Sequence, residues 1–293
     1  MSDLPASSSP TSPADLTAPL PAEDEEDLKN AVEVLEHRGL LGQLSDAVGS
    51  RFERAIEFLP DVAQEKVDDV TRASLKAALD VAVKTMDTKS EAVSWDLSHK
   101  LASAAVGLAG GAFGLPSALV ELPLSTTVML RSIADIARAN GEDLSDVEAR
   151  LECLNVFALG GGSPEEVEDA DGDGRPDDGW DSAYLATRVI LAQEVGAAAK
   201  SIAAKGLADD AASPVVRLLA KIAARYGVTV SEKMAAMAIP IIGAAAGAAI
   251  NIAFTNHFQS VARAHFSVRR LERDHGEDRV RHRYVALKKE LGL

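Results

Sequence analysis

The sequence predicts an all-α fold, arranged as a single multi-helix domain, from its composition and its hydrophobic periodicity. Hydrophobic residues make up 47% of the 293 residues, which is enough for a sizeable core, but only 4% are aromatic. Alanine dominates the apolar set and favours close contact between helices, whereas sheets are typically rich in β-branched and aromatic residues. No segment shows the alternating pattern of a strand with any clarity.

The N-terminal region divides into a tail and a first helix. Residues 1–22 are mostly Ser, Thr, Pro and Ala without a helical stripe, which predicts a disordered tail. Five consecutive acidic residues, Glu23 to Asp27, predict the first turn of a helix that ends before Gly39. The remainder, residues 23–293, is expected to form one helical domain.

Further helices follow from apolar residues that recur with a period of about 3.6. These segments cover residues 44–59, 62–86, 126–139, 144–159, 182–205 and 213–226, and the last helices carry the C-terminus. Pro123 is expected to break or kink the helix that begins near Pro116. Asn140-Gly141 and Gly227 are expected to end helices.

Two uncharged runs, rich in Gly and Ala, are predicted to form a central helical pair. They are Leu101 to Val120 and the 29 residues between Lys233 and Arg263, where His257 is the sole possible cation. Both are long enough to cross a bilayer. Their small side chains gain little from lipid, and Pro240 and Asn251 disfavour a span, so we expect a buried helical hairpin. Reversible membrane insertion or surface attachment and a two-span membrane protein remain the alternatives.

The charge distribution limits the classes of partner. A net charge of −15 argues against nonspecific binding to nucleic acid, because phosphates would be repelled. From Arg263 to the C-terminus, nine basic residues face five acidic ones, which fits either contact with a membrane surface or partner, or an ordinary solvated helix. The single cysteine, Cys153, is expected in the core and suits a cytoplasmic location.

An acidic loop within residues 160–181, which looks like an insertion, has the spacing of a calcium site. Oxygen ligands are expected from Asp169, Asp171, Asp173, the backbone of Arg175, Asp177 and Asp181. Trp180 occupies the position of the usual closing carboxylate, so Asp181 lies one place late. The loop therefore predicts weak Ca²⁺ binding, with a solvated surface loop as the alternative.

No motif of nucleophilic, metal-dependent or nucleotide-dependent catalysis is present. Glu121 and Arg131 are weak catalytic candidates, since both charges fall within an apolar region; a buried ion pair is the structural alternative. His257 and His265 are expected to be polar residues at a helix interface rather than metal ligands.

Several short motifs, in this order, resemble the EcsC protein family. They are Gly107 to Gly114, Glu121-Leu122-Pro123, Arg131, Asn140 to Asp143, Asn155 to Gly160, and Ile239 to Gly243 with Asn251. The similarity extends over roughly residues 35–270. It implies an intracellular helical domain with peripheral membrane association and carries over no catalytic residue.

These observations together predict a noncatalytic helical protein in the cytoplasm that contacts a membrane surface or a membrane protein. The alternative is a hydrolase or other enzyme that uses Glu121 and Arg131.

Overall fold

The computed structural model describes residues 18–36, 61–86, 114–161, 182–207, 213–237 and 244–293, and these residues are almost entirely helical. The helices are α1 (Ala22–Glu36), α2 (Asp61–Thr85), α3 (Gly114–Ala139), α4 (Val147–Leu159), α5 (Ala183–Lys205), α6 (Pro214–Met237), α7 (Ala244–His275) and α8 (Glu277–Leu291). No strand occurs within the described ranges. The all-α prediction is confirmed.

The predicted helix of residues 44–59 lies entirely outside the described residues, and so do residues 1–17 of the predicted tail. The last part of the tail is described, and there Leu20 is buried with 6% exposure. Its backbone N–H donates a hydrogen bond of 2.8 Å to Glu25 Oε2 in the first turn of α1. Residues 18–22 of the predicted tail therefore belong to the described structure, and Leu20 packs in its core.

Helix α3 continues through Pro123, so the expected break does not occur. A proline inside a helix removes one backbone hydrogen bond. Next to it, the hydroxyl groups of Thr126 and Thr127 donate to the carbonyls of Leu122 and Pro123 at 2.8 and 2.9 Å. The buried apolar face of α3, which includes Leu122, Leu130 and Ile133, maintains the helix despite the lost bond.

Helix α6 also continues past the predicted end at Gly227 and reaches Met237. The reason is tertiary, because Tyr226, Val230 and Met234 recur at intervals of one turn and are all fully buried. Helix α4 begins at Val147, later than predicted, because Asp146 caps it by accepting a hydrogen bond from Glu148 N. Gly141 has φ +82°, which confirms the turn expected after α3.

The described parts of the uncharged run after Lys233 belong to two helices. Met234 to Met237 complete α6, and α7 starts at Ala244. Pro240 lies between them, in residues 238–243, outside the described ranges. Among the described helices, none combines the length and hydropathy needed to cross a membrane.

Helices α3 and α7 pack against each other in the core, but they run parallel, whereas a hairpin is antiparallel. Gln259 Nε2 on α7 donates to Ser132 Oγ on α3 at 2.9 Å. Ten residues further along both segments, Arg269 Nε donates to Glu142 Oε1. Residues 101–113 of the first run lie outside the described ranges, so the expected hairpin of the two uncharged runs stays a prediction.

The centre of the bundle is a cluster of aromatic rings from α4, α6 and α7. Phe157 lies 4.9 Å from Tyr226 and 5.3 Å from Phe258, measured between ring centroids. The Tyr226 hydroxyl makes a 2.8 Å hydrogen bond with Thr126 Oγ1 of α3. A second apolar cluster joins α1 to α7 and α8, with Leu28 and Val32 fully buried against it.

Candidate functional site

An ion pair between α3 and α6 lies beside the uncharged runs. Lys233 Nζ lies 3.6 Å from Glu121 Oε1, and the lysine side chain is only 1% exposed whereas the glutamate is 27% exposed. The ammonium also lies 4.6 Å from the centroid of the Phe254 ring on α7. Burial lowers the pKa of Lys233, and the Glu121 carboxylate partly offsets this effect.

These contacts join the first turns of α3 and α7 to the last turn of α6. Glu121 lies about two turns into α3, Phe254 almost three turns into α7, and Lys233 one turn before the end of α6. Asn251, one turn before Phe254, has a buried Oδ1 without a hydrogen-bond partner. We call the region formed by the start of α3, the end of α6 and the start of α7 the apolar end of the bundle.

Glu121 and Arg131 do not form a joint site. Ten residues on one helix separate them by about 15 Å along its axis. Glu121 pairs with Lys233 instead, and Arg131 Nη2 donates to Thr85 Oγ1 on α2 at 3.2 Å. The catalytic role considered for these two residues stays a prediction.

A second polar group lies in the core, between α4, α5 and α7. His265 Nδ1 is 2.9 Å from the Tyr184 hydroxyl, and His265 Nε2 is 3.7 Å from Glu152 Oε2. Asn155 Nδ2 donates to the same Glu152 oxygen at 3.1 Å, and Arg269 Nη1 lies 3.9 Å from the other. The side chains of Glu152 and His265 are only 7% and 0% exposed, so a substrate has no access to this group in the present conformation.

The electrostatics of this group are those of a buried structural network. Burial lowers the pKa of His265, although the facing Glu152 acts in the opposite direction. Burial alone would raise the pKa of Glu152, but His265, Arg269 and Asn155 together hold it below its usual value. The pKa shifts of both groups thus arise from their burial, from their mutual contact and from Arg269 beside Glu152.

His257 has a different structural role from His265. Its Nε2 donates a 2.7 Å hydrogen bond to the carbonyl of Gly160, which also accepts from Thr229 Oγ1 at 3.2 Å. Both bonds satisfy a carbonyl at the C-terminus of α4. The two histidines are interfacial polar residues, as predicted, and the described residues contain no cluster of His, Cys, Asp and Glu suited to a metal.

Gly160 and Gly161 allow this corner to form. A Cβ atom on Gly161 would lie 2.2 Å from the carbonyl oxygen of Arg225, and one on Gly160 would lie 2.7 Å from the Phe258 ring. The motif that ends at Gly160 therefore marks a close approach of α4 to α6 and α7. Cys153 is buried in the same helix, as expected, and burial raises the pKa of its thiol.

The basic residues near the C-terminus are largely paired with acidic residues of the chain itself. Arg270 contacts Asp24 and Asp27 of α1 at 3.2 and 2.7 Å, and Lys288 contacts Glu36 at 2.9 Å. Arg283 binds Glu25 of α1 as well as Glu290 of its own helix. The acidic start of α1 thus neutralises much of the basic face of α7 and α8.

The acidic loop lies outside the described residues, so the structure gives no geometry for Asp169, Asp171, Asp173, Arg175, Asp177 or Asp181. The flanking positions are well anchored: Gly161 packs on α6, and Ser182 Oγ caps α5 and donates to Glu36 at 2.5 Å. Ca²⁺ binding by the loop stays a prediction.

Sequence reasoning missed Lys233, Glu152 and Tyr184. Lys233 had a usable signal, because it borders the longest uncharged run and shares a helical face with Val230 and Met234. Glu152 and Tyr184 had no such signal in the sequence, because His265, which both contact, is distant in sequence.

Comparison with protein families matches residues 25–271 to the EcsC protein family. Searches among curated proteins and among solved structures gave no match. The match spans most of the chain and includes the Glu121, Gly160 and Asn251 motifs whose contacts are described above. The chain therefore belongs to the EcsC protein family.

Proposed function

We propose that this protein is a noncatalytic helical protein that attaches to the surface of a membrane through the apolar end of its bundle. The observation that carries the proposal is the contact of Lys233 with both Glu121 and Phe254, which aligns the three helix ends. Their sequences are uncharged in residues 114–120, 234–237 and 244–254. An uncharged segment that exposes a large hydrophobic side chain, as the start of α7 does at Ile252, is suited to contact with lipid.

Two further observations favour this end of the molecule over the C-terminus. Ile252, in the first turns of α7, is 60% exposed, the largest value among the exposed large hydrophobic residues of the described chain. Three of the arginines of α7 and α8, Arg270, Arg273 and Arg283, are in contrast engaged by α1 or by the Glu142 turn. Attachment through apolar contact therefore has better support than attachment through a basic face.

Flotation with liposomes tests the proposal. We expect the wild-type protein to float with vesicles and Ile252→Asp to lose at least about half of the floating fraction, because it places a charge in the contact. Ile190→Asp is the matched control, since Ile190 is 49% exposed on α5. It lies between Arg188 and Glu194, which pair with Glu272 near the end of α7 and Arg217 near the start of α6, away from the apolar end.

Two outcomes would contradict attachment to lipid. The first is a wild-type protein that does not float, and the second is equal flotation of Ile252→Asp and wild type. Binding only to native membrane vesicles, abolished by protease treatment of those vesicles, would indicate a membrane protein as the partner instead.

The acidic loop is proposed as a separate, weak Ca²⁺ site, supported by the spacing of its aspartates. We expect calorimetric titration to give a dissociation constant of about 10⁻⁴ to 10⁻³ M for the wild type. The double variant Asp171→Ala/Asp173→Ala should give no binding heat. Absence of heat from the wild type would eliminate the site.

A further inference from the structure

Helix α5 is apolar on both of its sides. Its inner side packs in the core through Leu191, Val195 and Ile202, which are at most 6% exposed. On its outer side, Val189 and Ile190 are 42% and 49% exposed, which places both among the exposed large hydrophobic residues of the described chain. A helix that is hydrophobic all round is normally buried all round, so the outer side of α5 is suited to a partner.

The outer side of α5 also carries little charge, unlike that of α1, where Glu23 and Lys29 are exposed. Between Val189 and Ala199, Glu194 is the sole charged residue. Its side chain is 17% exposed and lies 3.3 Å from Lys221 Nζ of α6. This part of α5 therefore presents no unpaired charge, which disfavours a partner recognised through ion pairs.

Gln193 lies near the middle of this outer side, with its four helical neighbours around it. The large side chains of Ile190 and Val189 stand three and four residues before it, and Gly196 and Ala197 stand three and four residues after it. Gln193 is exposed and makes no hydrogen bond with any described residue. We call the surface formed by these five residues the α5 face.

The described packing does not require a glycine at position 196. A Cβ atom on Gly196 would meet nothing within 4 Å, whereas one on Gly161 would lie 2.2 Å from the backbone of Arg225. The described glycines with positive φ are at other positions, so the backbone of Gly196 would accept any residue. A glycine inside a helix is destabilising relative to alanine, and the close approach of a second backbone would account for it.

The α5 face is complementary to itself. If two antiparallel copies of α5 cross at Gln193, Ile190 lies opposite Gly196 of the second copy, and Val189 lies opposite Ala197. Each large side chain then packs on a small one, and Ile190 fills the open space above Gly196. The two Gln193 amides meet on the two-fold axis, where each donates to and accepts from the other.

We propose that α5 forms the interface of a two-fold symmetric homodimer, in which the α5 faces of two copies pack antiparallel. The basis is the arrangement of large and small side chains about Gln193, on a helix side that is apolar, uncharged and exposed. The small residues favour a second helix over lipid, since alanine and glycine gain little from lipid but let backbones approach.

The dimer is a weak one. The helix pair is about 21 Å long over residues 186–200, so it buries less than the roughly 800 Å² per partner of a standard interface. We expect a dissociation constant on the order of 10 µM. This inference does not depend on membrane attachment through the apolar end, and either proposal can fail without the other.

Sedimentation equilibrium of the full chain tests the dimer, and charges at position 193 give the most specific result. A two-fold axis through Gln193 places this residue opposite itself. Gln193→Glu and Gln193→Lys should therefore each weaken dimerisation by at least about tenfold, because like charges face each other. An equimolar mixture of the two variants should dimerise about as strongly as the wild type, because opposite charges then meet.

Asn30→Asp is the matched control for Gln193→Glu. It also replaces an exposed amide on a helix by a carboxylate, but it lies on α1. It should dimerise like the wild type. Salt should strengthen the wild-type dimer, because each copy has a net charge of −15 while the contact itself is uncharged.

Gly196→Leu separates close packing from general hydrophobic association. Leucine is a good helix former and the space at this position is open, so circular dichroism should show an unchanged helix content. The variant should weaken dimerisation by at least about tenfold, because the added side chain keeps the two helices apart. Association through apolar surface alone would instead become stronger.

Three results would overturn the proposal. The first is a wild-type chain that stays monomeric at about 100 µM. The second is a mixture of Gln193→Glu and Gln193→Lys that associates no more strongly than either variant alone. The third is Gly196→Leu that associates as strongly as the wild type or more strongly, which would assign the α5 face to lipid or to another apolar surface.

The liposome experiment stays independent of these results. At the submicromolar protein concentrations of a flotation assay, the chain is monomeric by the expected dissociation constant. Ile190→Asp therefore remains the control for Ile252→Asp in that assay. A failure of the dimer leaves the comparison of these two variants unchanged.

Discussion

The two halves of α7 are stabilised by different kinds of interaction. The first half, up to Phe258, has an uncharged sequence apart from His257 and packs on α3, α4 and α6 through aromatic rings and close helix contacts. The second half is rich in charge and forms ion pairs with α1, α5 and the Glu142 turn, including a bidentate pair of Arg188 with Glu272.

This difference shows which surface is available for a partner. In the second half, the charged groups have partners within the chain, so they contribute to the fold and leave little free charge. In the first half, a single buried cation from α6 accompanies exposed Ile252 and uncharged helix ends. The polar half of α7 is therefore structural, and the apolar half is the one proposed to make an external contact.

The largest effect is expected at the corner on which the first half packs. Gly161→Ala should destabilise the protein by about 3 kcal/mol or more, because its Cβ would meet the backbone of Arg225 and force α4 away from α6. Chemical denaturation measures this change. The control is Gly196→Ala on α5, where a Cβ meets nothing within 4 Å and should stabilise by about 0.5 to 1 kcal/mol. Similar destabilisation by both variants would show that the close contact is not the cause.

The second-largest effect on stability is expected for the ion pair of Lys233, the buried cation at the apolar end of the bundle. Glu121→Gln should lower the free energy of unfolding by about 2 kcal/mol, since it leaves the ammonium of Lys233 buried without its carboxylate. Lys233→Met should cost much less, because it removes the charge and keeps the apolar volume beside Phe254. Equal losses for the two variants would contradict this account of the pair.

The pH dependence of stability tests the buried network of the second half. Burial holds the pKa of His265 below its usual value, so the folded protein binds fewer protons than the unfolded chain. The contribution of His265 to the free energy of unfolding is complete above the pKa of a histidine in the unfolded chain, about 6.5. It is lost as the pH falls through the pKa of His265 in the folded protein. The slope below pH 6.5 can reach about 1.4 kcal/mol per pH unit for each such group.

His265→Gln should make that slope smaller in denaturation experiments between pH 7 and pH 5. Some slope should remain, because His257 is also buried and burial lowers its pKa as well. An unchanged slope in His265→Gln would indicate that His265 is already protonated in the folded protein beside Glu152.

The smallest effect is expected for the exposed ion pairs between α1 and α7. Arg270→Ala should cost less than about 1 kcal/mol, because Arg270 and Asp27 are partly solvated at 29% and 45% exposure. The difference from wild type should decrease in 1 M salt, which screens exposed charges. A large loss of stability that does not depend on salt would contradict this expectation and would indicate that these ion pairs are buried, like the contacts of Glu152 and His265.

The sequence alone determined the helical class, most helix boundaries and the family. Caps such as Ser182 and the turn at Gly141 are local signals, because a side chain or a glycine acts on its own backbone. The ordered Gly, Pro and polar motifs identified the EcsC family without any knowledge of the fold. Glu121 was recognised as unusual because a charge in an apolar segment needs a partner.

Only the tertiary structure shows which residue is the partner of Glu121. Lys233 is more than one hundred residues from Glu121, and their contact depends on how α3 and α6 pack. The same holds for the parallel course of α3 and α7, the helical Gly227, and the pairing of α1 with the basic C-terminus. In each case burial against distant residues outweighed a local preference, since the free energy of packing exceeds the small propensities that a sequence displays.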